Sequence, residues 1–180
     1  MRKVILFFIS ILILLPIFVS ADDCNNNGTT IVYINGIFTD KSLAKKDKDY
    51  LEKEFLQRVN DKNIKFINGF NQSHFGGLGD LIKSVEQVYK GASLDYDLTN
   101  ILRQVYGELQ TRKVLLVGHS QGTFYTNAAY DYLVKNGVPK ESISVYNIAT
   151  PADKVADNGN YLTSSTDKVI NSIVRRLTDL

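Results

Sequence analysis

The residue type in this chain that could do acyl chemistry is a serine held between glycines, Ser120 in Gly118-His119-Ser120-Gln121-Gly122. A hydroxyl attacks a carbonyl only when a neighbouring base takes its proton and the Oγ stands clear of the backbone; a strained turn between a strand and a helix meets the second condition. Glycines two before and two after the serine let that turn close, because side chains there would collide with the adjoining strand and helix. The backbone N–H of Gln121, at the opening of the helix, would face an oxyanion with the positive end of the helix dipole behind it. The Gly-x-Ser-x-Gly spacing is weakly specific by itself, and the same residues could form a glycine-rich turn whose serine merely caps a helix.

The surroundings of the motif favour a nucleophile elbow. Lys113 to Val117 is a short apolar, β-branched-rich run bounded by glycine, which predicts a fully buried parallel strand. After Gln121 the residues Phe124, Tyr125, Ala128, Ala129, Tyr132 and Leu133 recur at helical spacing, and Asn136-Gly137 followed by Pro139 gives the stop.

Val117-Gly118-His119-Ser120-Gln121-Gly122 behind a buried strand resembles the α/β-hydrolase superfamily, in its lipase, esterase and deacylase branch. The likeness runs from about Thr29 to Val174, with the elbow as its one specific motif. It implies a second oxyanion donor at the end of an early strand. Thr29 to Asn35 is that strand, ending in Gly36-Ile37-Phe38, with Asn35 where the family has histidine or a similar residue. Because the hole uses backbone donors, the exchange is expected to cost little, and the second donor is assigned to Ile37, with Phe38 as the neighbouring choice. A strand-ending Asn-Gly turn without a catalytic part is the alternative.

The resemblance also implies the chain order serine, acid, histidine. Asp167, in Ser165-Thr166-Asp167-Lys168-Val169 after an expected strand from Asn160 to Ser164, matches the acid. Asp153, after the strand Ser142 to Ile148, is the second choice, and helix N-capping is the plain structural role for both. The only histidines are His74 and His119. His119 flanks the nucleophile and is expected to pack beside the elbow. His74 lies in the loop Gln72 to Gly79, after a strand two places from that of Ser120, roughly 10 Å away and on the side opposite the family's usual base. It is read as a loop or substrate-contact residue, with a role as the base, reached across a flexible loop, as the alternative. No histidine follows Asp167 before Leu180, so the expectation is an α/β-hydrolase-like chain without the family's histidine-bearing C-terminal segment.

Several elements must position these residues. An amphipathic helix is predicted from Lys41 to Val59, with Leu43, Tyr50, Leu51, Phe55 and Val59 on the inner face and the charged run Lys45 to Asp49 in solvent. Asn63 to Asn68 is a short strand ending in Gly69-Phe70-Asn71. Two helical stripes follow, Leu78 to Tyr89 and Leu94 to Leu109, and a last helix is expected from Val169 to Leu177. Five strands alternating with helices predict an α/β fold, a doubly wound, mostly parallel sheet with helices on both faces. The resemblance implies the spatial strand order two, one, three, four, five.

The chain has 180 residues, enough for one domain, here taken as 29–180. Arg2 and Lys3, the apolar run Val4 to Phe18 and the small residues Val19-Ser20-Ala21 have the anatomy of a signal peptide over residues 1–21. An uncleaved membrane anchor is the alternative, although the run is short for a span and broken by Pro16. Losing Arg2 and Lys3 takes the formal charge from +2 to zero, which gives no reason to expect nucleic acid as a partner. Residues 22–28, with the single cysteine Cys24 and Asn25-Asn26-Asn27-Gly28, are expected to form a flexible mature N-terminus. No Cys/His group has metal-ligand spacing and no phosphate-binding glycine loop is present, so neither metal nor cofactor is expected. The function expected from the resemblance is an exported (secreted or periplasmic) serine hydrolase of carboxylic esters, of lipids or other acyl compounds. An acyltransferase or thioesterase would use the same residues, and a remnant acting as a binding module would keep the elbow without a base.

Overall fold

The computed structural model describes residues 27–36, 39–59, 61–71, 96–152, 154–168 and 170. The expected signal segment, the helical stripe Leu78 to Tyr89, most of the helix after Asp167, and the residues Ile37, Phe38, His74 and Asp153 lie outside the described residues.

Five strands form one parallel sheet. They are β1 (Thr29–Ile34), β2 (Ile64–Asn68), β3 (Lys113–His119), β4 (Ile143–Ile148) and β5 (Asn160–Leu162), in the spatial order β2-β1-β3-β4-β5. The expected order holds. Tyr33 pairs with Val117 of β3 and with Asn68 of β2, so β1 and β3 lie in the middle of the sheet, where both faces are covered. Their sequences accordingly read as continuous apolar runs rather than alternating ones.

Three described helices cover the sheet: α1 (Lys41–Arg58), α2 (Tyr96–Leu109) and α3 (Gly122–Lys135). Residues of α2 and α3, among them Ile101, Val105, Ala129 and Leu133, pack with Val32, Ile34, Val114, Leu116 and Val145 on one face of the sheet. Leu51 and Phe55 of α1 pack on the other, against Ile31, Tyr33, Phe66 and Val117, with the Phe55 and Phe66 rings edge to face at 5.7 Å. The fold is doubly wound, as expected.

The ends of the helices follow their cap residues. Asp40 accepts the Leu43 N–H at 2.8 Å and starts α1. At the end of α3, Gly137 has φ 93°, and the N–H groups of Gly137 and Val138 turn back to the carbonyls of Val134 and Leu133, which makes Asn136-Gly137 the stop that its sequence predicts.

The inner face of α1 differs from the expected one. Leu43 is 45% and Tyr50 67% exposed, and the inner row is Ala44, Lys48, Leu51 and Phe55. Lys48, in the run expected to be solvated, lays its stem along this face and pairs its ammonium with Asp49 and Glu52, each at 2.7 Å. The apolar-periodicity reading missed it because a lysine stem buries as well as a short apolar side chain when its tip is paired. Tyr132 of α3, also expected inside, is 39% exposed.

The N-terminal edge of the sheet is tied by a charged cluster. Arg112, just before β3, bonds the hydroxyl of Thr30 at 2.9 Å and the carbonyls of Asn27, Thr29 and Asn63. Glu108 accepts from Thr30 at 2.7 Å and from Lys65 at 2.6 Å. Among the described residues no helix is long and apolar enough to cross a membrane, and no group of His, Cys, Asp and Glu could hold a metal ion.

Candidate active site

Ser120 stands between the end of β3 and the start of α3 with φ 52°, the left-handed region that a side-chain-bearing residue rarely occupies. Its N–H is anchored on the Ile148 carbonyl at the end of β4, 2.9 Å away. Its carbonyl accepts the N–H and the hydroxyl of Thr123, at 3.0 and 2.7 Å. The backbone is therefore held on both sides of the strained residue, the condition under which such strain persists.

The two glycines of the motif act as the sequence reading requires. A Cβ on Gly122 would stand 2.2 Å from the Ile34 carbonyl oxygen, and one on Gly118 would stand 2.8 Å from the Thr123 Cα. The first turn of α3 thus rests directly on the end of β1, and the end of β3 on the first turn of α3. The end of β1 also reaches the nucleophile. A Cβ on Gly36 would lie 3.0 Å from the Ser120 Cβ and 3.5 Å from the His119 Nδ1, so the Asn35-Gly36 turn is packed against the elbow.

Gln121 begins the helical conformation, with φ −54° and ψ −32°, and its side chain does not cap the helix. The N–H groups of Thr123 and Phe124 are turned onto the carbonyls of Ser120 and Gln121, so helical bonding begins beyond the N–H of Gln121. The side chain of Gln121 is 2% exposed. It accepts from Asn71 Nδ2 at 3.1 Å. Asn71 in turn binds Asn35, whose Oδ1 accepts the Asn71 N–H at 2.8 Å and whose Nδ2 donates to the Asn71 carbonyl at 2.9 Å. Sequence reasoning missed this: it took the exchange of the family's histidine for Asn35 as one of little consequence and gave Asn71 no part. The usable signal was amide residues at the ends of two neighbouring strands, where the polar ends of side chains meet.

A second polar group joins α3 to the stretch after β4. Thr150 donates its hydroxyl to that of Thr123 at 3.0 Å, and Thr126 to Asn147 Oδ1 at 2.7 Å. Asn127 donates to the Lys154 carbonyl and accepts the Ala156 N–H, both at 2.9 Å. Thr123, Thr126 and Asn127 are all buried, at positions where a surface helix would carry apolar residues. That departure from the apolar pattern was the readable sign.

Asp167 follows β5 at the same C-terminal edge of the sheet as Ser120. Its N–H donates to the Ser164 carbonyl at 3.1 Å, and its Oδ1 accepts the Ile170 N–H at 3.0 Å, the geometry of a helix N-cap. The structure thus brings Ser120, Gln121 and the Asn35-Gly36 turn into one contact, and sets Asp167 two strands away. Ile37, the expected second donor, is outside the described residues, as are His74 and Asp153. His119 has its Nδ1 toward Gly36, on the β1 side of the elbow.

No known family profile matches the chain, and no curated protein does. Solved structures do. A cutinase-like protein from Cryptococcus sp. superposes with a TM-score of 0.50 at 16% identity, covering 71% of this chain and 55% of that one. A Trichoderma reesei cutinase, solved with a phosphonate inhibitor, superposes with a TM-score of 0.50 at 16% identity, covering 85% and 66%. What is shared is the fold. The chain has the parallel α/β architecture of these cutinases, and it spans 55% and 66% of their lengths.

Proposed function

We propose that this protein is an exported serine hydrolase that cleaves carboxylic esters of acyl compounds through an acyl-enzyme on Ser120. The observation that carries the reading is the strained backbone of Ser120, φ 52°, held between close-packed glycines at the C-terminal edge of a parallel sheet. Ala149, Asp157 and Asn158 also have positive φ, so the conformation alone is not the sign; at Ser120 it coincides with flanking glycines packed on neighbouring backbone and a strand-to-helix turn. A nucleophile gains from it, because the turn lifts the Oγ out of the backbone.

In the proposed reaction the Ser120 Oγ attacks the ester carbonyl as its proton passes to a base. The oxyanion is held by the N–H groups of Gln121 and Ile37, and the alcohol leaves with the proton. Water then repeats the sequence on the acyl-enzyme and releases the acid. Asp167 is the acid assigned to orient the base. His119 is not given that role, because its ring is on the β1 side; the base is assigned outside the described residues. The fold shared with cutinases, and the phosphonate inhibitor bound by one of them, support an ester as the substrate class.

The test is covalent labelling with a fluorophosphonate followed by peptide mapping. The adduct should sit on Ser120, require folded protein and disappear in Ser120→Ala. An adduct that survives Ser120→Ala, or none on the folded wild type, overturns the proposal.

A further inference from the structure

Three amide side chains from three separate stretches are buried beside the elbow: Asn35, Asn71 and Gln121 are 0%, 1% and 2% exposed. The amide of Asn35 docks on the backbone of residue 71 as one peptide group docks on another. It accepts from the N–H at 2.8 Å, donates to the carbonyl at 2.9 Å, and also donates to the Gly36 carbonyl at 3.0 Å. The regular β1–β2 ladder stops at the pair Tyr33 and Asn68. Asn35 therefore continues that pairing beyond the strands through its side chain. Asn71 then turns the connection sideways, with its Nδ2 on Gln121 Oε1 at 3.1 Å.

Packing alone does not call for this arrangement. Asn35 satisfies the backbone groups of residue 71, but apolar side chains at 71 and 121 would fill the space without desolvating two amides. What amides add is direction, since each hydrogen bond fixes an orientation as well as a distance. Here the directions converge on two backbone stretches, the turn after β1 and the residue after the nucleophile.

We propose that Asn71 is a positioning residue that sets the turn at Gly36 against the Gln121 backbone, and so fixes the geometry of the elbow. The inference rests on the reading of Ser120 as nucleophile and of Gln121 and Ile37 as donors. It assigns Asn71 no contact with substrate. Its effect comes through the linked amides, and a misplacement of about 1 Å at such a site can cost about 10²-fold in rate.

The test compares Asn71→Leu, Gln121→Met and the double variant in the full chain, with two readouts. The first needs no activity: amide hydrogen exchange by NMR, with the β3 residues Leu115 and Leu116 as internal reference. Asn71→Leu should lower protection at residue 71, whose N–H is held by Asn35 Oδ1, and at Phe124, whose N–H is held by the Gln121 carbonyl, by about tenfold more than at the reference. The second is steady-state hydrolysis of a short p-nitrophenyl ester. The kcat should fall by about 10- to 100-fold with KM within twofold, and the double variant should be no worse than the more impaired single one. Unchanged relative protection at residue 71 and Phe124, or a rise in KM at constant kcat, overturns the proposal. Should Asn71→Leu not fold, Gln121→Met carries the same two measurements. A wild type that neither hydrolyses the ester nor takes a fluorophosphonate sinks the nucleophile reading, while the exchange measurement still decides whether Asn71 couples the two stretches.

Discussion

Gly122→Ala adds a single methyl group at the point where α3 rests on β1. The new Cβ would stand 2.2 Å from the Ile34 carbonyl oxygen and 2.8 Å from that of Asn35, both backbone atoms that no rotamer change can move. Close carbon-to-oxygen contacts lie near about 3.3 Å, so the first turn of α3 must withdraw from β1 by about 1 Å. Overpacking of this kind costs about 1–3 kcal/mol. The same displacement moves Gln121 and Ser120 relative to the Gly36 turn, and should slow phosphonate labelling by about 10²-fold. Urea unfolding monitored by circular dichroism gives the first quantity, and labelling rate per folded molecule gives the second. Gly107→Ala in α2 is the matched control, because a Cβ there meets nothing within 4 Å. It should raise stability by about 0.5–1 kcal/mol and leave labelling unchanged. If Gly122→Ala unfolds at the wild-type urea concentration and labels at the wild-type rate, the contact between helix and strand is not what shapes the elbow.

Two further outcomes concern the rest of the chain. Burial alone would raise the pKa of Glu108, but hydrogen bonds from Lys65 and Thr30, with the charges of Lys65 and Arg112, outweigh it and hold the carboxyl below its ordinary value of 4.5. A group whose pKa is lowered by folding adds stability above its unfolded pKa and loses it as pH falls through the folded value. Glu108→Gln should therefore flatten the fall of Tm below about pH 4.5, and curves of equal steepness for wild type and variant would contradict the linkage. For export, intact mass of the protein released by cells should start at Asp22; a membrane-bound species that still carries Met1 would identify residues 1–21 as an anchor.

The strands and the tight turn at Ser120 were legible because each has a local cause, whereas the strand order came from the resemblance. Buried parallel strands read as apolar runs, as in Val114 to Val117, and the helix stop at Asn136-Gly137 is written in residues that tolerate the required backbone. Lys48 was not legible, since its place on the inner face of α1 depends on partners, Asp49 and Glu52, that complete its burial. The polar links were hidden for a related reason. Asn35, Asn71 and Gln121 are far apart in sequence, and no local pattern records that the ends of β1 and β2 meet the elbow. Asp167 is proposed as the acid only through the resemblance. Asp167 forms the N-cap that its local sequence suggests, and a cap bond is compatible with a second task without revealing it.

The left-handed backbone at Ser120 also says something about selection. A side chain in that region costs roughly 1 kcal/mol or more relative to glycine. For folding alone, then, serine is a poor choice at this position, and glycine would make the more durable protein. The hydrogen bonds from Ser120 to Ile148 and from Thr123 back to Ser120 hold a conformation that the residue itself disfavours. Stability and reactivity are thus opposed at one residue. On the proposed reading of Ser120 as nucleophile, a lineage released from catalysis would drift toward glycine at 120, where the backbone strain would be relieved.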